Sequence, residues 1–408
     1  MNNTKELQSI VNPSFKTAKD ILYLLLSGGD PDAIQLAPYL SFITQSKPKS
    51  DQLPPQEILN CYKIGQMVRF NMNTLAALKS GKQTIIDLPC GYATRCFKVA
   101  NKGLKYYGFD LPIVIDEMKE LTSKIITEEQ KPLISFNAVD ATNYYSMREA
   151  LKEVKGEICI ITEGLLVYLN DSELNSFCEA IHKLLSEFGG CWMTADVGKM
   201  EQIYALALGV LYKEVSDKES PLKKDISIYL SKFNSYKSTL SANNFKGAKE
   251  FFEKRGFIVK NEPISNYIDK IKDVPEDKQE ELKKAFGNIT IWTMTVDKKD
   301  INVTNIEENI KFNLESKLID GIFNVNIEGR LDTLTAPELL KKFKENGGIK
   351  KIKIDANKMT FISSAGITVL EIMMKELENK EMFEIIGAKG DIKEILEKNG
   401  FKVNIKMD

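Results

Sequence analysis

The sequence predicts an α/β protein with a Rossmann-like, doubly wound sheet, a helical cap and a second, smaller α/β domain. Two patterns support this prediction. Through the first 297 residues, short apolar segments alternate with helical segments, as in a parallel sheet covered by helices on both faces. From Phe323 onward, apolar and polar residues alternate with period two, which is typical of strands. A chain of 408 residues is long enough to bury two cores.

The predicted domain borders follow changes in composition along the chain. Residues 1–297 form the first domain, and the moderately apolar helical stretch 198–245 interrupts its alternation as a cap insertion. The polar and charged segment 298–309 is the predicted linker. Residues 310–408 form the second domain.

Each strand is predicted from a short apolar or alternating run. In the first domain the predicted strands are 83–88, 106–110, 133–140, 157–163, 190–194, 257–264 and 289–296. In the second domain they are 323–327, 351–354, 383–386 and 401–405.

Helices are predicted from apolar stripes and from their first residues. The clearest covers 172–188, where Asn170 and Glu173 have the spacing of a capping box. In the second domain, helices are predicted after Thr335, whose capping box Glu338 would complete, after Ser364, and over 391–398.

Composition excludes several classes of partner. The 56 basic residues balance 57 acidic ones, whereas a nucleic-acid partner requires a cationic surplus. No apolar stretch is long enough to span a bilayer and no secretory signal is visible, so we expect a cytoplasmic protein without a membrane partner. Six cysteines without a CxxC pair, beside one histidine, predict reduced, buried thiols and no metal site.

Acidic residues stand at the carboxyl ends of four predicted strands, where ligands bind in a doubly wound sheet. These are Asp87, Asp110, Asp140 and Glu163. Gly91, in the loop after the first strand, lets a ligand approach the backbone closely. Asp110 follows at the spacing of a carboxylate that accepts from two ribose hydroxyls, whereas Asp87 and Asp140 could equally cap the next helix.

The cofactor predicted from these residues has a ribose and an adenine but no pyrophosphate. The chain has no GxGxxG run whose amides could hold a dinucleotide. This favours S-adenosylmethionine (SAM) over a nicotinamide cofactor.

Four segments, in order, resemble the leucine carboxyl methyltransferase-like family across about residues 14–297. They are IIDLPCGYATR, YYGFDLPIVIDEMKEL, NAVDATN and ITEGLLVYLNDSELNSF. The resemblance implies a SAM-dependent O-methyltransferase whose Rossmann-like sheet ends in an antiparallel strand. Where the family usually has Gly-x-Gly and then Asp-Thr-Arg, this chain has Pro89 and Ala93, so it lacks one glycine and the acid.

The resemblance also implies roles for individual residues. Gly91 belongs to the cofactor loop and Asp110 to the ribose, while Asp87 stands at the start of the same loop. The remaining implied positions are Asp140 and Ala141 at the adenine, Glu163 and Gly164 at the methionine end, Tyr168 in the same pocket and Arg69 at the cofactor carboxylate.

The methyl acceptor stays open at this stage between a carboxylate and a hydroxyl, in a small molecule or a peptide. A carboxylate is ionised at neutral pH and needs no base, whereas a hydroxyl needs one. Glu163 and Tyr168 are the candidate catalytic residues for that proton.

The second domain resembles the STAS domain of anti-sigma factor antagonists over about residues 310–408. The resemblance rests on NVNIEGRLDTLTAPELLKKF, KIKIDANKMTFISSAGITVLEIMMKEL and ILEKNGFKV. It implies that Ser364 is phosphorylated by a partner serine kinase of the anti-sigma factor type, with Asp332 near the same loop. From the residues alone, Ser363 or Ser364 could instead be a helix N-cap.

Two functions are therefore predicted. The first is a SAM-dependent O-methyltransferase with a C-terminal regulatory or protein-interaction domain. The alternative is a non-catalytic SAM-binding signalling protein that acts as an anti-sigma factor antagonist.

Overall fold

A computed structural model describes residues 2–12, 15–42, 56–198, 202–213, 238–268, 270–297 and 311–404. The predicted linker 298–309 and the middle of the predicted cap, 214–237, lie outside the described residues.

The first domain is built on a seven-stranded sheet, as predicted. Its strands are β1 Thr84–Asp87, β2 Lys105–Asp110, β3 Ile134–Ala138, β4 Ile158–Thr162, β5 Gly190–Thr194, β6 Ile258–Pro263 and β7 Thr290–Thr295. They lie in the order β3-β2-β1-β4-β5-β7-β6. The first five are parallel, and β7 runs antiparallel to both β5 and β6. The strand order reverses between β1 and β4, which is where such sheets bind ligands.

Helices cover both faces of this sheet. In chain order they are α1 Asn2–Val11, α2 Phe15–Ser27, α3 Pro31–Leu36, α4 Gln56–Lys79, α5 Arg95–Ala100, α6 Pro112–Thr122, α7 Tyr144–Ala150, α8 Asp171–Phe188, α9 Gln202–Leu211, α10 Thr239–Ala242, α11 Ala248–Glu253 and α12 Gln279–Ala285. Two apolar cores, one on each face, fix the sheet between these helices. Within the predicted cap, α9 packs against α4.

The second domain has a five-stranded sheet. Its strands are β8 Asn313–Ile319, β9 Ile322–Leu331, β10 Lys351–Ile362, β11 Phe383–Ile386 and β12 Val403–Asn404, in the order β12-β11-β10-β9-β8. Its helices are α13 Ala336–Lys344, α14 Ser364–Lys375 and α15 Gly390–Lys398. Strand β8 pairs antiparallel with β9 and was not predicted, because it is an edge strand with no fully buried residue and gives a weak apolar signal.

The two predicted capping boxes had different outcomes. In α8 the box is present. The Asn170 side chain accepts from the Glu173 N–H, and the Glu173 side chain accepts from the Asn170 N–H. In α13 it is absent, and the prediction is wrong there. The Thr335 hydroxyl donates 2.7 Å to the Arg330 carbonyl instead, so it is used within the preceding turn.

Helix α1 packs against the second domain, although it lies at the other end of the chain. Leu7 and Val11 are each 2 % exposed and belong to the core of the second domain. Asn12 Nδ2, just after the helix, donates 3.2 Å to the Thr333 carbonyl. The predicted borders of the domains stay a prediction, but this helix joins the two ends of the chain.

No helix among the described residues has the length and the apolar character needed to cross a membrane.

Replacing Leu7 by alanine should lower the free energy of unfolding of the second domain. The substitution leaves a cavity between α1 and the core, at a cost of about 2 kcal/mol. Urea unfolding of the full chain measures it, with Ile34→Ala, at a 52 % exposed position, as the control. Equal stability of both variants would show that α1 does not contribute to this core.

Candidate functional site

A cavity of about 580 Å³ lies at the carboxyl ends of the parallel strands. Eight of the residues predicted for the cofactor site line it: Arg69, Gly91, Asp110, Asp140, Ala141, Glu163, Gly164 and Tyr168. Tyr168 reaches the cavity from a short helical turn, Leu166–Tyr168, after β4. The topology thus brings residues from 69 to 168 of the chain to one edge of the sheet.

Gly91 and Asp110 form a fixed pair at one end of the cavity. Gly91 has a φ of +51°, a backbone conformation that favours glycine. Its N–H donates 2.7 Å to Asp110 Oδ2, and the Leu111 N–H donates 2.7 Å to Oδ1. Burial raises the pKa of Asp110 to about 7, although these two backbone donors oppose the shift. Each carboxylate oxygen keeps a lone pair for a ligand hydroxyl.

Asp87 has a different place from the one predicted. It is fully buried, and Arg95 Nη1 donates 2.6 Å to each of its oxygens. The Tyr106 hydroxyl donates a third bond, at 2.9 Å. Asp87 is not among the described residues that line the cavity. It neither faces a cofactor nor caps a helix, and we correct the prediction: its carboxylate holds Arg95.

Arg95 links Asp87 to Glu163 across the switch point of the sheet. Its Nη2 donates 2.6 Å to Glu163 Oε2, which also accepts from Asn73 Nδ2 at 3.0 Å. Burial alone would raise the pKa of Glu163, but Arg95 and Arg69 outweigh burial and the pKa is lowered. Glu163 therefore stays ionised with its oxygens engaged. A base must accept a proton near neutral pH, so the lowered pKa and the two arginine partners argue against the predicted role of Glu163 as a base, which stays a prediction.

Arg69 and Asp196 complete the opposite end of the cavity. Arg69 Nη2 donates 3.0 Å to Asp196 Oδ1, which also accepts from the Gly164 N–H at 2.8 Å. Arg69 Nε lies 3.2 Å from Glu163 Oε1, yet this buried N–H has no hydrogen-bond acceptor among the described residues. Arg69 lines the cavity, and a cation at a cavity wall fits an anionic ligand group.

Sequence reasoning missed Asp196 and Arg95. Asp196 follows the end of β5, so the rule that selected the acids after β1 to β4 would have found it. Arg95 lies in the Thr-Arg pair that the chain shares with the methyltransferase-like family.

Asp140 contacts the second domain. Its Oδ1 accepts from the Thr142 N–H at 3.0 Å, and its Oδ2 accepts from Arg330 Nη2 at 2.9 Å. Arg330 Nε also donates 3.3 Å to Asp332. Burial, together with the Asp140 carboxylate, raises the pKa of Asp332 to about 7, while Arg330 opposes the shift.

The second domain forms part of the cavity wall through the loop before α14. Its lining residues are Thr333, Ser363, Ser364, Ala365 and Thr368. Ser363 is the N-cap of α14, accepting from the Gly366 N–H at 3.3 Å. Ser364, the predicted phosphosite, is not the cap. The Ser363 N–H donates 3.0 Å to the Leu331 carbonyl, which places Asp332 beside this loop.

The cysteines serve packing. All six are buried, and burial raises the pKa of Cys90, the one in the cofactor loop. No group of three or more metal-ligating side chains occurs among the described residues.

The family model of the STAS domain matches residues 313–408. Residues 313–408 form a STAS domain. This confirms the family that the motifs of the second domain resemble. The Ser363-Ser364 loop and α14 of this STAS domain are the parts that face the cavity.

Several solved structures are similar to parts of the chain. An anti-sigma factor antagonist from Mycobacterium paratuberculosis is 21% identical, covering 23% of this chain and 85% of that one, with a TM-score of 0.21. A putative methyltransferase from Thermobifida fusca is 14% identical, covering 68% and 94%, with a TM-score of 0.37. Human N-acetylserotonin methyltransferase, solved in complex with SAM, is 13% identical, covering 68% and 70%, with a TM-score of 0.30. The comparison with curated proteins finds no match.

Replacing Arg95 by methionine should lower the free energy of unfolding by about 3–5 kcal/mol, because the buried Asp87 and the part-buried Glu163 lose their shared cation. Lys254→Met is the control, since Lys254 and its partner Glu250 are each 71% exposed and such pairs contribute less than about 1 kcal/mol. Urea unfolding of both variants measures the difference. Similar losses in both would contradict a role of Arg95 in holding the site together.

Proposed function

We propose that the chain is a SAM-dependent O-methyltransferase with a regulatory STAS domain. The observation behind this proposal is the pairing of two unlike ends in one cavity. At one end Asp110 offers a fixed carboxylate, and at the other Arg69 offers a guanidinium held between Glu163 and Asp196. SAM has a ribose diol in its adenosine half and an amino acid in its methionine half, so its polar groups match both.

The loop after β1 supports a cofactor without phosphates. The N–H groups of Leu88, Cys90 and Ala93 donate to backbone carbonyls, and that of Gly91 donates to Asp110. Pro89 has no N–H. A pyrophosphate needs free amides at this place, and these five positions offer none. Two ribose hydroxyls instead need acceptors, which Asp110 provides.

The methionine end would be held by charged groups on α4, β4 and β5. Arg69, which lines the cavity, would bind the cofactor carboxylate. The carboxylates of Glu163 and Asp196, both within reach of Arg69, would favour the cofactor ammonium. Their own bonds to Arg95 and to backbone amides keep them in place. At the adenine end, Ala141 leaves room beside Asp140.

The bound cofactor supplies an electrophilic methyl group on a sulfonium, and the protein positions the acceptor in line with it. We propose that the acceptor is a carboxylate of a small molecule or a peptide, because the arginines that engage Glu163 lower its pKa and make it a weak base. The single histidine, His182, packs against Phe257 and is not among the described residues of the cavity wall. If the acceptor were a hydroxyl, Tyr168 would remain the candidate base that takes its proton.

For the STAS domain we propose a protein partner of the anti-sigma factor type, with serine-kinase activity directed at Ser364. A phosphoserine at the start of α14 would stand at the positive end of the helix dipole. We further propose a cytoplasmic location.

The alternative, a SAM-binding signalling protein without catalysis, has its own support in Pro89 and Ala93. These replace a glycine and an acid that the methyltransferase-like family usually has. Methyl transfer separates the two functions. The enzyme should move labelled methyl from SAM to carboxylates as base-labile esters. SAM binding without any methylated product would favour the alternative, and a base-stable product would contradict the carboxylate acceptor.

Replacing Asp110 by asparagine should weaken SAM binding by about 10- to 100-fold, since an amide cannot accept from both ribose hydroxyls. Isothermal titration with SAM measures the loss. Asp116→Asn, at an exposed position of α6, is the matched control. If both variants bind SAM as tightly as the native chain, Asp110 is not the ribose ligand.

Binding of SAM should strengthen as the pH rises from 6 to 8. In the free site the pKa of Asp110 is raised to about 7, so the carboxyl is protonated below that pH. Ribose hydroxyls donate to the ionised form, which lowers the pKa in the complex, so affinity increases as the pH passes about 7 and then levels off. Titrations at several pH values test this. Asp110→Asn should abolish the pH dependence, and a pH-independent native affinity would contradict the assignment.

A further inference from the structure

The loop before α14 of the STAS domain lines the cavity. The packing of this domain on the first domain, its seated state, therefore affects the shape of the proposed cofactor site. Two polar clusters hold it there. One is centred on Ser364 and the other on Arg330. Neither follows from the resemblance of the STAS domain to anti-sigma factor antagonists, because both depend on residues of the first domain.

The Ser364 cluster joins α14 to the start of α8. The Ser364 N–H donates 2.6 Å to Glu173 Oε1, and its hydroxyl donates 3.0 Å to Glu173 Oε2. Asn170 Nδ2 donates 3.1 Å back to the hydroxyl. Glu173 is buried and is also the capping-box residue of α8. A negative charge on Ser364 would therefore face a fixed carboxylate at hydrogen-bond distance, which opposes this seat.

The Arg330 cluster supports Asp140 from outside the cavity. The guanidinium stacks on the Phe361 ring at 3.8 Å, which fixes its plane. From there Nη2 donates 2.9 Å to Asp140 Oδ2 and 2.7 Å to Thr142 Oγ1. Asp140 lines the cavity, whereas Arg330 is not among its described lining residues. Arg330 thus acts on the cavity through Asp140.

We propose that the STAS domain completes the cofactor site: Arg330 positions the Asp140 carboxylate for the adenine amino group, and a negative charge at Ser364 unseats the domain and weakens cofactor binding. This inference rests on the proposed SAM site.

The coupling is reciprocal by thermodynamic necessity. If the seated STAS domain raises the affinity for the cofactor, then bound cofactor raises the population of the seated state by the same factor. In the seated state the Ser364 hydroxyl is bonded to Glu173 and Asn170, so a protein partner reaches it only after unseating. Cofactor supply would then control how much of the STAS surface a partner can use.

The first experiment places a charge at Ser364 in the full chain. Ser364→Glu should weaken SAM binding by about 10-fold. It should also speed hydrogen exchange of the Ser364 amide. Ser123→Glu, on an exposed position of the first domain, is the control. Adding Glu173→Gln to Ser364→Glu removes the facing charge while keeping a capping-box residue, so it should restore most of the affinity.

The second experiment tests whether Arg330 positions Asp140 for the adenine amino group or only stabilises the structure. Titration with S-adenosylhomocysteine and with its 6-oxo analogue, which lacks the adenine amino group, measures the preference for adenine. The native chain should prefer the amino form by about 10-fold. Arg330→Met should bind both forms about equally, and Arg330→Lys should recover part of the preference. Arg255→Met, which removes another arginine stacked on a phenylalanine, should leave the preference unchanged.

The outcomes distinguish this inference from the function on which it rests. If the native chain binds neither SAM nor S-adenosylhomocysteine, both are overturned. If the native chain binds them and the Ser364 and Arg330 variants match their controls, only the role of the STAS domain is overturned. An equal loss of affinity for both homocysteine derivatives in Arg330→Met would make Arg330 a structural residue and overturn its positioning role.

Discussion

The site depends on one buried guanidinium. Arg95 lies between Asp87 and Glu163, and all of these charges have left bulk water at a cost of several kcal/mol per ion. Such a group is stable only when every partner is in place, so the ends of β1 and β4 are held at a fixed separation. Because Arg95 keeps Glu163 ionised, Glu163 can in turn orient Arg69. Arg95 thus fixes the groups that we propose to bind the methionine half of the cofactor.

The same arrangement recurs between the domains. Arg330 lies between Asp140 and Asp332, again one cation with two acids, and Asp140 belongs to the first domain. Helix α1 adds an apolar joint, since Leu7 and Val11 complete the core of the STAS domain. Charge pairing fixes the orientation of the contact, and apolar burial supplies free energy. The STAS domain therefore contacts the rest of the chain in two places, through Arg330 at Asp140 and through its apolar core at α1.

Sequence patterns predicted the parts of this molecule that depend on local burial. The strands of the first sheet were found because a strand covered on both faces reads as an apolar run. Acids at strand ends were found because parallel strands share one edge. Asp87 was misplaced because its direction depends on Arg95, which turns it away from the cavity. The contacts of Arg330 and of α1 could not be predicted, since each joins residues far apart in the chain that only the tertiary structure brings together.

Pro89 removes fewer amide donors from the cofactor loop than the difference from the methyltransferase-like family suggests. Proline lacks an N–H, but the amides of Leu88, Cys90 and Gly91 beside it already donate to the protein, so these positions offer no amide to a ligand. Asp110 and Arg69 do not depend on that position. Among the carboxylates of the described cavity, Glu163 is engaged by Arg95 and Arg69, which lower its pKa. In the proposed SAM site, a carboxylate held in this way suits an acceptor that arrives already ionised.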